Sequence, residues 1–199
     1  MKKDILIVTF IAIFLALFIY YLWSSANICT ILFSPSEKSQ CYEKIGTGTN
    51  NLDICIKSDN YQCYQNLALK TNDINICNRV NDKELKNRCM LLVTINKGDP
   101  QLCDNLIYED KVYCYYRLAL SKNDTILCEK TSEKWSSGCY KFIAINLLDP
   151  TICEKISTLN PFVKDECYLS IAFKKNDPSL CQRVKFESEK ERCNKLVIS

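Results

Sequence analysis

The sequence predicts an all-α protein, an N-terminal transmembrane helix followed by an αα-hairpin solenoid of about seven short repeats with one disulfide per hairpin. Three observations carry that expectation. Fourteen cysteines recur on a fixed spacing, an Asp or Asn stands four positions before alternate cysteines, and a long uncharged apolar run opens the chain.

The apolar run comes first. Met1-Lys2-Lys3-Asp4 precedes an uncharged stretch from Ile5 to Trp23 that ends in Tyr20, Tyr21 and Trp23. A helix over residues 5–23 spans roughly 28 Å, close to the hydrocarbon thickness of a bilayer. The lysines favour the cytoplasmic side and the aromatic cluster suits the far interface. The expected division is therefore a cytoplasmic stub and bilayer-spanning signal-anchor at 1–26 and an extracytoplasmic repeat domain at 27–199. A cleaved signal peptide with Ser24-Ser25-Ala26 as its small-residue site, giving a secreted protein, is the alternative. Ile28 before Cys29 argues against a lipoprotein.

Repeats follow. Six times a cysteine has another fourteen positions later: Cys41 and Cys55, Cys63 and Cys77, Cys89 and Cys103, Cys114 and Cys128, Cys139 and Cys153, Cys167 and Cys181. Between these blocks the gap varies from 8 to 14 positions, a constant unit joined by variable turns. Such self-similarity marks stacked supersecondary units. The stacked blocks share a cysteine followed by tyrosine, a Leu-Ala or Ile-Ala pair, an Asp often followed by Pro, and an Ile or Leu before the closing cysteine. Cys167-Tyr168, Ile171-Ala172, Asp177-Pro178 and Leu180-Cys181 show the full phrase.

The recurring acid or amide is Asn51, Asp73, Asp99, Asp124, Asp149 or Asp177, and Pro100, Pro150 and Pro178 follow three of them. A side-chain oxygen that caps free N–H groups, then a proline with a helical φ, starts a helix. A short helix A is expected at each, ending within about ten residues and carrying its cysteine one turn in. Helix B follows and holds the next cysteine near its middle. In helix B, positions 0 and +4 share one face and +1 and +5 share another about 100° around. Small residues at +5 (Ala68, Thr94, Ala119, Ala144, Ala172) allow a close neighbour.

Register selects the bridges. Facing residues of an antiparallel hairpin lie level about the turn, as Cys103 and Cys114 do about Tyr108-Glu109. Cys114 and Cys128 are out of level by roughly 6 Å at 1.5 Å per residue, too much for a disulfide. The expected pairs are Cys29–Cys41, Cys55–Cys63, Cys77–Cys89, Cys103–Cys114, Cys128–Cys139, Cys153–Cys167 and Cys181–Cys193. The rival scheme joins the fourteen-spaced cysteines and strands Cys29 and Cys193. Each closure of about a dozen residues stabilises by roughly 3 kcal/mol in the chain-entropy model, which helices this short need. Persistent disulfides place the repeats in an oxidising compartment.

Chemistry is sparse. The chain has no histidine, which excludes Ser-His-Asp and Cys-His catalysis, His-ligated zinc and c-type haem attachment. No Cys-x-x-Cys occurs, and the cysteines never come nearer than eight positions, so bridges are favoured over zinc. The net charge is +3, with acids and bases mixed as in Glu189-Lys190-Glu191-Arg192. That pattern is a solvated helix surface and excludes a nucleic-acid stripe. No catalytic residue, cofactor or metal is expected. Tyr42, Tyr64, Tyr115, Tyr140 and Tyr168 repeat at one position. They read either as a binding ladder for an extended peptide or glycan or as rings wedged between hairpins with the hydroxyl at the rim. Asn123-Asp124-Thr125 matches the N-glycosylation pattern.

The one-bridge hairpin over residues 27–199 resembles the tetratricopeptide-like repeats of secreted bacterial cysteine-rich proteins. Those units are longer and glycine-rich at their turns. The repeated phrase is also similar to that of uncharacterised membrane-anchored cysteine-repeat proteins of archaea and bacteria, a resemblance that implies architecture and no activity. The expected function is a membrane-tethered scaffold outside the cytoplasm, touching the lipid bilayer through residues 5–23 and binding a protein, peptide or glycan. A structural envelope or spacer element is the alternative, and an enzyme is the least favoured reading.

Overall fold

The computed structural model describes residues 10–20, 26–31 and 34–198, and every regular element among them is helical. The long helices are Pro35–Thr49, Tyr61–Thr71, Lys83–Lys97, Tyr108–Lys122, Glu133–Leu147, Pro161–Lys175 and Glu187–Ile198. A short helical segment precedes each and pairs with it into a hairpin. The bridges are those that register demands: Cys29–Cys41, Cys55–Cys63, Cys77–Cys89, Cys103–Cys114, Cys128–Cys139, Cys153–Cys167 and Cys181–Cys193. Their Cα atoms lie 5.5 to 5.9 Å apart although the loops they close range from 8 to 14 positions.

One expectation is overturned. Among the described residues no helix is long and apolar enough to cross a membrane. The described part of the apolar run, residues 10–20, is helical. High apolar content was the sequence signal, and hydropathy alone does not set the length of a helix. The remainder of the predicted anchor, and the Ser24-Ser25 part of the alternative cleavage site, lie outside the described residues.

The short segments are also tighter than expected. Ala26–Ile31, Ile74–Arg79, Pro100–Asn105, Ile152–Lys155 and Pro178–Arg183 are 3₁₀ helices, whereas Leu52–Ser58 and Thr125–Cys128 are α-helical. The cause is the residue three after each cysteine. Val80, Leu106, Ile156 and Val184 donate their N–H to the carbonyl of Cys77, Cys103, Cys153 and Cys181 at 3.1 to 3.2 Å. At three residues per turn, position +3 eclipses the cysteine and shares its buried face. All four side chains are buried. In the two α-helical segments that position is polar, and the hydroxyls of Ser58 and Thr131 donate to the carbonyls of Cys55 and Cys128.

Junctions between hairpins follow one recipe. A left-handed residue ends the long helix: Asn50, Asn72, Gly98, Asn123, Leu148 or Asn176. Asparagine and glycine tolerate that conformation, and Leu148 at φ +53° does so at a cost. The next residue is the predicted cap. Asn51, Asp73, Asp99, Asp124, Asp149 and Asp177 each accept a hydrogen bond from the backbone N–H two positions on.

The chain divides into two compact units, Met1–Val93 and Thr94–Ser199, with the boundary inside the Lys83–Lys97 helix. In the first unit Pro35–Thr49 packs on Tyr61–Thr71, and Leu67, Ala68 and Val93 close over two cysteine pairs, Cys55–Cys63 and Cys77–Cys89. Gly46 occupies the small-residue position there because a Cβ would stand 2.9 Å from the Cys55 sulfur. In the second unit the long helices stack in chain order, Tyr108–Lys122 on Glu133–Leu147, then Pro161–Lys175, then Glu187–Ile198. Leu118, Ile143 and Ile171 at position +4 and Ala119, Ala144 and Ala172 at +5 are fully buried, as two flanked faces require.

Candidate functional site

The repeated tyrosines are packing. Tyr42, Tyr64, Tyr115, Tyr140 and Tyr168 are all buried to 8% exposure or less. Position +1 of the long helix points between neighbouring segments, so these five rings offer no open ladder to a peptide or glycan.

Tyr115, Tyr140 and Tyr168 border a polar seam in the second unit. Tyr168 donates to Glu154, whose carboxylate also binds Lys164 at 2.7 Å and Arg183 at 3.3 Å. Tyr115 shares Asp104 with Lys111, whose ammonium stands 2.6 Å away. Tyr140 faces Glu129, and Lys155 lies over its ring at 5.8 Å and 4.0 Å from that carboxylate. Burial foremost, then the adjacent carboxylates, push the Tyr168 and Tyr115 phenols up. The Lys164 hydrogen bond, then that of Tyr168, holds Glu154 below the usual carboxylate range. Phenols so disfavoured as anions stay protonated at neutral pH and act as fixed donors within their own hairpins, unsuited to taking up protons. The signal was present in the sequence: Cys103-Asp104, Cys128-Glu129 and Cys153-Glu154 carry an acid next to the sulfur, and Cys128, Cys153 and Cys181 carry Lys130, Lys155 and Arg183 two positions on. Each base reaches back to the acid of the hairpin before it.

The open chemistry lies on the other side of the long helices. Trp135, Tyr113 and Tyr116 form an edge-to-face cluster with ring centroids 6.2 and 4.8 Å from the indole. The Arg117 guanidinium lies over the Tyr113 ring at 5.8 Å and donates to its hydroxyl. One hairpin along, Phe142 is 49% exposed, and a groove of about 380 Å³ runs between Tyr116, Phe142, Ile145 and Lys174 with Gly138 in its floor. Lys141 at its edge is held by Glu166 at 2.8 Å. Compared with protein-family models, curated proteins and solved structures, the chain finds no match in any of the three.

Sequence reasoning passed over that surface because its residues do not repeat. The residue before the long-helix cysteine is Gln40, Gln62, Arg88, Tyr113, Gly138, Glu166 or Arg192. A site confined to two or three hairpins breaks the consensus, and searching for departures from the consensus would have found it. Among the described residues no group of three or more acidic, cysteine or histidine side chains is placed to hold a metal. Asn123 uses its side-chain oxygen to accept a hydrogen bond from Asn146 at 2.7 Å.

Proposed function

We propose that the chain is a disulfide-stapled helical-repeat binding module that works in an oxidising compartment outside the cytoplasm. It holds a macromolecular partner on the long-helix face of the second unit. Seven intrahairpin bridges support the compartment, because such bonds persist where thiols are not kept reduced. The observation that carries the binding reading is the aromatic face formed by exposed Trp135 and Phe142 with half-buried Tyr113 and Tyr116 beside them. Aromatic residues gathered on an exposed surface are the usual anchors of recognition. The Lys130 charge near Asp104 supports the same reading, because it links the hairpin of Tyr113 and Tyr116 to that of Trp135 and Phe142 and keeps the face in register.

The test places a photocrosslinking benzoylphenylalanine at Trp135 in the producing cells, with the same amino acid at exposed Ile126 as control. A discrete adduct from position 135 and none from 126 is expected. Equal or absent labelling at both would overturn the binding reading and leave the spacer role.

A further inference from the structure

The geometry points to the Gly138 groove as a peptide site that takes one large apolar side chain with a carboxylate beside it. This deepens the binding reading above and rests on it.

Gly138 is the observation that starts the argument. It sits inside the Glu133–Leu147 helix, where glycine is the poorest helix former after proline. Two ordinary reasons for such a glycine fail here. Its φ is not among the positive ones, unlike that of Gly98. A Cβ built on it meets nothing within 4 Å, unlike one on Gly46. The fold gains nothing from the missing side chain, and the space above it is open. What the absence does provide is close access to the helix backbone at the floor of the groove.

The walls specify the occupant. Tyr116, Phe142 and Ile145 supply apolar sides, and a volume of about 380 Å³ is at the small end of the range for binding sites. It suits one large side chain with the backbone that carries it. The charges around it are Lys141, Lys174, Glu166 and, on the neighbouring helix, Arg117. Lys141 and Glu166 neutralise each other at 2.8 Å. Lys174 is exposed, lines the groove and has no ion-pair partner among the described residues. Arg117 rests on the Tyr113 ring. The uncompensated charge is positive, so the complementary segment is acidic. An apolar side chain anchors it in the groove, and a neighbouring carboxylate meets the Lys174 ammonium.

The experiment uses the oxidised full chain and three fluorescein-labelled peptides: alternating Asp and Phe, alternating Lys and Phe, and alternating Asp and Ala. The Asp–Phe peptide is expected to bind at least tenfold more tightly than either of the others. Gly138→Phe, which fills the groove from its floor, weakens it at least tenfold, and Gly138→Ala, whose methyl covers the backbone there, weakens it by a smaller factor while raising the melting temperature. Lys174→Glu, an exposed change that leaves the packing untouched, reverses the preference toward the Lys–Phe peptide. This variant keeps the test decisive should Gly138→Phe not fold. Equal affinity for the three peptides, or Asp–Phe binding indifferent to Lys174→Glu, would overturn the proposal. So would an oligosaccharide array that binds through the same groove in place of peptides. The Trp135 crosslink separates the two levels of the argument. An adduct that persists in Gly138→Phe refutes the groove and keeps the surface, and loss of every adduct in the parent refutes both.

Discussion

Asp165 is the most consequential buried charge in the second unit, and its replacement by asparagine gives a sharp test. Its side chain is 2% exposed and leaves the Pro161–Lys175 helix to meet the next hairpin. It accepts hydrogen bonds from the backbone N–H groups of Lys185 at 2.9 Å and Phe186 at 2.8 Å. These stand just before the Glu187–Ile198 helix, so the carboxylate also faces the positive end of that helix. The Phe186 ring stacks on Phe162 at 4.3 Å and fixes the approach. Asp165→Asn keeps one acceptor oxygen and turns the other position into a donor facing a donor. One charge-assisted bond is lost, and a buried N–H is left without a partner. At about 1.5–3 kcal/mol for such a bond and a further ~0.5 kcal/mol of helix-end electrostatics, the loss is about 3 kcal/mol. Urea unfolding with the disulfides intact gives the total. Amide hydrogen exchange at Lys185 and Phe186 locates it, since a repeat array opens locally before it unfolds. A loss below about 0.5 kcal/mol with both amides still protected would show that the joint does not hold the last hairpin.

Three other outcomes are expected. Cys103→Ala with Cys114→Ala opens an eleven-position closure and costs about 3 kcal/mol by the chain-entropy model. Denaturation under non-reducing conditions measures it, and an unchanged midpoint would contradict the stapling argument. Leu148→Asn relieves a left-handed non-glycine residue and raises stability by about 1 kcal/mol, read as a higher thermal midpoint; Leu148→Gly serves as the comparison. Acid weakens the fold through four carboxylates held below their ordinary range: Asp104 by Lys111, Asp149 by Thr151, Glu154 by Lys164 and Tyr168, and Asp177 by Ser179. A carboxylate depressed in the folded state stabilises it fully above its unfolded value and loses that contribution as pH falls through the folded one. The urea midpoint therefore falls between about pH 5 and pH 3, and Glu154→Gln flattens the fall.

What was legible in the sequence was what is local. An aspartate at a helix start bonds two residues on whatever surrounds it, so all six caps could be read from spacing. Bridges followed because a hairpin turn relates its two cysteines by simple counting. The left-handed residue was equally local, since Asn50, Asn72, Gly98, Asn123 and Asn176 each stand directly before the cap, and it needed only closer stacking of the repeats. The 3₁₀ pitch was also local, marked by an apolar residue three after the cysteine at Val80, Leu106, Ile156 and Val184 and a hydroxyl at Ser58 and Thr131, and it too needed closer stacking of the repeats. Lys141 and Glu166 are 25 positions apart, and Arg183 and Glu154 are 29, so their pairing exists only once hairpins stack. The tyrosines were ambiguous for the same reason: position +1 lies at the edge of the buried face, and only the neighbouring segment decides whether it is covered.

The near-constant sulfur clamp beside turns of unequal length has a practical meaning for protein engineering. A stretch such as Ser157–Asn160, enclosed between Cys153 and Cys167, can change length while the two chain ends remain pinned at 5.9 Å. The fourteen-position blocks tolerate no such edit, because they carry the reversal that aims one hairpin at the next. Foreign sequence grafted at Ser157–Leu159 would leave the hairpin ends pinned, provided the Asn160 contact to Ser137 is kept, whereas one residue added near Asn123 would rotate everything downstream of it within the second unit.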